Sequence, residues 1–160
     1  MGKVKKGDQS VVLEANKIVE TESGARNPTG AVQKKILFLV PLLWTLFQLW
    51  IASPLPFIVN FGVFNSTEAR AIHLAFAIFL AFTAFPTFKR SPTSYVPVQD
   101  WIVGLVGAFC AAYLFIFYEE LSGRPGSPTQ IDLAVAIVGL ILLLEATRRV
   151  LGPALMVIAG

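Results

Sequence analysis

The chain has 160 residues and a formal net charge of +3, with 55% of its residues hydrophobic and 14% charged. A soluble domain averages about 45–50% apolar and about 25% charged residues, so a single water-soluble core is excluded. The charges are also clumped: none occurs from Ile36 to Thr67 or from Trp101 to Tyr118. An uncharged apolar run of about 18 residues or more reads as a membrane span.

The first stretch, MGKVKKGDQSVVLEANKIVETESGARNPTG, is polar and mixed in charge, which excludes a secretory signal. Gly2 does not open a myristoylation site, because Lys6 stands where Ser or Thr is needed. Residues 1–33 read as a mobile cytoplasmic tail. Within it, SVVLEANKIVE places Val12, Ala15, Ile18 and Val19 near one face of a short amphipathic helix.

Four spans follow. The first is Ile36 to Ala52, with Pro41 in its first turns and Pro54 and Pro56 ending it. The next stretch, LPFIVNFGVF, is too apolar for an ordinary loop and too broken for a span. It lies in the interface or under a partner. The second span covers residues 68–88. It opens with Asn65 and Glu68 in capping-box spacing and stops before Lys89 and Arg90. The third covers 100–118, with Asp100 placed to cap its N-terminus and Trp101 and Tyr118 bracketing it as interfacial aromatics. EELSGRPGSPTQ reads as a loop. The fourth span covers 130–147, with Thr129 and Asp132 as its capping pair. Gly152-Pro153 breaks this helix. From residue 153, PALMVIAG begins a fifth apolar segment that the sequence does not complete, so a truncated longer protein is expected.

The fold class expected is therefore an all-α membrane protein of four spans. Lys34 and Lys35, Lys89 and Arg90, and Arg148 and Arg149 fall on one side at alternate crossings. The positive-inside rule makes that side cytoplasmic, with both chain ends inside. The same placement suits topology better than a phosphate-binding face, so nucleic acid is not an expected partner and the lipid bilayer is.

Glu145 precedes Arg148 and Arg149 by three and four residues, so a local ion pair is within reach. Such a pair either fixes the helix end at the membrane edge or docks a partner helix. Glu119, Glu120 and Arg124 form an outer loop, either solvated or touching a partner. Its two carboxylates stand at a helix C-terminus, against the dipole. In the third span, Gly104, Ala108 and Ala112 recur every fourth residue, as do Gly107 and Ala111, a spacing that lets helices approach closely in lipid. Phe76, Phe79, Phe82, Phe85 and Phe88 trace a stripe suited to lipid or to a partner.

Catalytic and cofactor constellations are missing from the sequence. His73 is the one histidine, which leaves bis-histidine haem and zinc unsupported and reads as an interfacial or packing residue. Cys110, the one cysteine, reads as a small buried hydrophobe. There is no Ser/His/Asp set, P-loop or GxGxxG, and no acidic residue at mid-span. No enzyme activity, cofactor or metal is expected of this chain.

Three stretches carry a family resemblance: YEELSGRPGSPTQIDL, LLLEATRRVLGPALMVIAG, and the passage from FPTFKR to Asp100-Trp101. Together they resemble the N-terminal region of fused permeases of tripartite ATP-independent periplasmic (TRAP) transporters, of the TAXI-associated type. The resemblance covers Lys34 to Gly160. It implies a small-subunit-like scaffold preceding a large transport portion of about twelve helices in a secondary importer. It further implies a bacterial inner membrane location, a periplasmic solute-binding protein as partner, small carboxylates or amino acids as cargo, and sodium coupling at sites outside this chain. The alternative is a stand-alone four-helix assembly protein with no transport role.

Overall fold

The computed structural model describes residues 24–87 and 91–151. They form six helices and no strand: α1 (Ala31–Ala52), α2 (Leu55–Val59), α3 (Ser66–Ala84), α4 (Val98–Ile116), α5 (Tyr118–Gly123) and α6 (Gln130–Leu151). Helices α1, α3, α4 and α6 are long and apolar enough to cross a membrane. The protein is an all-α, multi-pass membrane protein. The expected helix within 10–20, the pair Lys89-Arg90, and the fifth apolar segment from 153 lie outside the described residues.

The first span ends at Ala52 and the fourth starts at residue 130 as expected, while the other span boundaries move. α1 starts at Ala31, not Ile36, so Lys34 and Lys35 lie inside its first turns. Its 22 residues are then sufficient for a hydrocarbon layer of about 30 Å. α3 opens two residues before Glu68, and the expected capping box is present. Asn65 Oδ1 accepts from the Thr67 and Glu68 amides at 2.9 Å each, and the Glu68 carboxylate accepts from the Asn65 amide at 2.8 Å. α3 ends at Ala84 and does not reach 88. Pro86 disfavours helical geometry at the residue before it, and Phe85 is extended at φ −113, ψ 131. α4 starts at Val98 behind Pro97. α6 runs one turn past Thr147, so Arg148 and Arg149 belong to the helix instead of following it.

Two stretches read as loops contain short helices. LPFIVNFGVF holds α2, whose Phe57 and Ile58 are each 73% exposed. EELSGRPGSPTQ holds most of α5, so Glu119 and Glu120 occupy a first turn, where the dipole favours them. They do not form the helix C-terminus that the sequence suggested.

α3 is central. It packs most extensively on α4 and also touches α1 and α6. Gly104, Gly107 and Ala111 are buried along α4, while Ala108 and Ala112 are half-buried. The close-approach face therefore follows 104, 107 and 111, and not two parallel four-residue series. A Cβ on Gly107 would stand 2.6 Å from Ile78 Cγ2, and one on Gly104 would stand 3.3 Å from Phe82 Cβ. Cys110 is half-buried beside Gly139.

Of the phenylalanine stripe, Phe76, Phe79 and Phe82 make contacts inside the chain, Phe85 is half-buried, and Phe88 lies outside the described residues. Phe82 is fully buried, Phe79 meets Trp101, and Phe76 stacks on Trp44 at 6.3 Å between ring centroids. His73 is a packing residue between α3 and α1. Trp44 Nε1 donates to its Nδ1 at 3.2 Å, and the Gln48 amide lies against the same ring.

Gly107→Leu is expected to separate α3 from α4 at a cost of about 1–3 kcal/mol, the range for overpacking. A lowered thermal midpoint of the detergent-solubilised protein, with Gly123→Ala unchanged because nothing lies within 4 Å of that position, is the readout.

Candidate functional site

The polar chemistry of the described residues gathers at the two ends of the bundle. At one end stand the α1 N-terminus, the α3 C-terminus, the α4 N-terminus and the α6 C-terminus. The sequence-predicted pair forms here in full: Glu145 takes Arg148 Nε at 2.7 Å and Arg149 Nε at 2.9 Å. Arg149 also reaches Asp100 Oδ1 at 2.9 Å, and its guanidinium carbon lies 4.5 Å from the centroid of the Phe82 ring. The other oxygen of Asp100 takes Arg26 at 2.5 Å. Three arginines thus face two carboxylates across three separate segments.

Asp100 was expected to cap α4. It does not: Pro97 is the N-cap and receives no side-chain cap bond, and Asp100 sits in the first turn. Its carboxylate still faces the positive end of the helix dipole, but its partners are arginines from elsewhere in the chain.

Arg26 was read as part of a mobile tail. The structure packs it away completely, with its side chain 0% exposed. The reason lies in how α3 ends. A helix leaves its last four carbonyls without internal partners, and at a membrane edge each needs a donor. Ala81 receives the Phe85 amide. Phe82 and Thr83 accept from Arg26 Nη1 at 3.3 and 3.4 Å, and Ala84 accepts from the Arg26 amide at 2.7 Å. The remaining donor of Arg26, its Nε, is buried without a partner.

Residues 24–33 are therefore not a tail. Asn27 and Thr29 donate their amides to Thr93 and Ser94, and Gln33 exchanges two hydrogen bonds with the backbone of Val96. This strap ties the start of α1 to the loop entering α4. Arg148 adds a bond to the Thr87 carbonyl at 3.2 Å, securing the exit from α3.

The opposite end is built locally. Thr129 and Asp132 make the expected capping pair: Asp132 accepts the Thr129 amide at 2.7 Å, and Thr129 Oγ1 accepts the Asp132 amide at 3.3 Å. Asp132 also takes Arg124 at 2.7 Å and the Tyr113 hydroxyl at 2.6 Å, linking α6 to α4 and to the α5–α6 turn. Arg124 is thus engaged with Asp132. Glu119 and Glu120 are exposed beside it and are not part of that set.

Among the described residues, no group of three or more His, Cys, Asp or Glu side chains is placed to hold a metal ion. The arrangement at either end can brace helices and present charge. No family model, characterised protein or solved structure matches the chain.

Arg26→Met is expected to cost about 3 kcal/mol, because Asp100 keeps only Arg149 and the Phe82 and Thr83 carbonyls lose their donor. Asp100→Leu in the same chain is expected to restore part of that loss by removing the half-partnered buried carboxylate, Arg149 keeping Glu145. A thermal-melting double-mutant cycle on the solubilised protein measures both.

Proposed function

We propose that the chain is the scaffold portion of a TRAP-type secondary transporter, bracing a larger permease portion that carries the substrate and ion sites. One observation supports this above others. Two of the three stretches that carry the family resemblance also carry residues of the two structural clusters. YEELSGRPGSPTQIDL supplies Arg124 and Asp132, and LLLEATRR supplies Glu145, Arg148 and Arg149. These charges pair locally, and Arg149 and Asp132 extend the pairing to α4 through Asp100 and Tyr113, as suits a static brace.

In this reading the Arg26 end faces the cytoplasm, because Lys34, Lys35, Arg148 and Arg149 all gather there. The membrane is a bacterial inner membrane. The cargo is a small carboxylate or amino acid delivered by a periplasmic binding protein, and sodium drives its import. The Glu145 and Arg148 side chains remain 29% and 27% exposed, and they offer the edge at which the large portion meets the brace. The alternative is a stand-alone four-helix assembly protein, for which the same clusters serve only internal stability.

An antibody to residues 1–33, applied to source membranes, is expected to detect a polypeptide much larger than this chain, or one that co-migrates with a many-helix permease in mild detergent. Glu145→Lys in the full reading frame is expected to weaken that assembly and sodium-dependent carboxylate uptake together. A chain that migrates alone, and whose deletion leaves uptake unchanged, overturns the proposal in favour of the stand-alone protein.

A further inference from the structure

Between α1 and α3 lies an open groove of about 520 Å³ that neither charge cluster explains. Leu37, Pro41 and Trp44 form its α1 wall, and Ala77, Ala81 and Ala84 form its α3 floor. Arg26 closes it at the cluster end. The cause is visible in the packing. Trp44 and Phe47 hold α1 against His73 and Phe76, but three of the four α3 residues that line the gap, Ala77, Ala81 and Ala84, are small, with Leu80 the fourth and Phe85 just past the helix end. No residue of α1 is fully buried.

Three features of the groove specify its occupant. It is apolar and runs about 10 Å along α1 at 1.5 Å per residue, within the depth of one leaflet. Lys34 lies one turn before Leu37 on the same helix face. It is exposed, and no acidic partner reaches it among the described residues. The neighbouring cluster carries one more positive charge than negative, and the buried Arg26 Nε lacks an acceptor. An apolar slot between spans with a basic rim at the interface matches an anionic phospholipid.

We propose that this groove holds an acyl chain of an anionic phospholipid from the leaflet at the cluster end, with the lipid phosphate at Lys34. The lipid then fills the gap that α1 and α3 leave, and it fastens α1 to the bundle. The inference does not depend on a transport role.

Trp44 reports on the site. The test uses the full chain carrying Trp50→Phe and Trp101→Phe, reconstituted in vesicles with chain-brominated phosphatidylglycerol or chain-brominated phosphatidylcholine. Brominated phosphatidylglycerol is expected to half-quench Trp44 at about a fivefold lower mole fraction, the advantage expected of one basic residue at an anionic headgroup. Lys34→Gln, an exposed change that leaves packing intact, is expected to abolish that preference. Ala84→Leu, which fills the groove, is expected to reduce quenching by both lipids, with helical content by circular dichroism as the folding control. Equal quenching by the two lipids in the starting protein means ordinary boundary contact and overturns the proposal, as does a preference that survives Lys34→Gln. Failure of either lipid to reach Trp44 also overturns it and assigns the groove to a protein helix.

Discussion

Pro86 has no N–H to offer the carbonyl of Phe82, and the guanidinium of Arg26 supplies the missing donor. Everything at that end of the bundle is arranged around this exchange. Bringing a guanidinium to the end of α3 satisfies three carbonyls, counting the bond from its own amide, but it introduces a buried positive charge. Asp100 answers that charge from the first turn of α4. Asp100 in turn binds Arg149, which shares Glu145 with Arg148. The chain of dependence runs from one proline to the ends of all four spans.

The two ends of the bundle solve the same problem differently. At the Asp132 end, capping is achieved by residues close in sequence, Thr129 and Arg124, and one hydroxyl from α4. At the Arg26 end, partners come from segments dozens of residues apart. The first arrangement stabilises a turn; the second fixes how spans stand relative to one another. A helix pair in lipid lacks the hydrophobic drive that packs soluble bundles, so close approach and polar ties carry more of the specificity. The α3–α4 contact has both: Gly104, Gly107 and Ala111 bring the backbones together, and the Arg26–Asp100 pair locks their ends.

α1 is held differently from the others. Aromatic contacts through Trp44 and Phe47, and the strap of residues 24–33, anchor its two ends, while the middle stands off from α3. In the proposed reading this gap is the place for a lipid, and the exposed Lys34 would be its basic rim. α3, α4 and α6 pack on one another, whereas α1 packs mainly on α3.

Local sequence patterns determined much of this architecture. Four uncharged apolar runs dictate four spans, Asn65 with Glu68 and Thr129 with Asp132 dictate two caps, and the spacing of Glu145, Arg148 and Arg149 dictates their pairing, because each depends on neighbours within one or two helical turns. The span ends were less legible. Pro86 and Pro97 set them through backbone sterics, and apolar periodicity does not register that effect. What the tertiary structure alone decided is which cation meets Asp100 and the α3 carbonyls. Several basic residues flank the spans, and nothing in their composition distinguishes Arg26. Only the folding of residues 24–33 across the α3–α4 corner brings that side chain to carbonyls left open by a proline far along the chain. An unsatisfied group in the sequence announces that a partner is needed, and the packing of distant segments selects it.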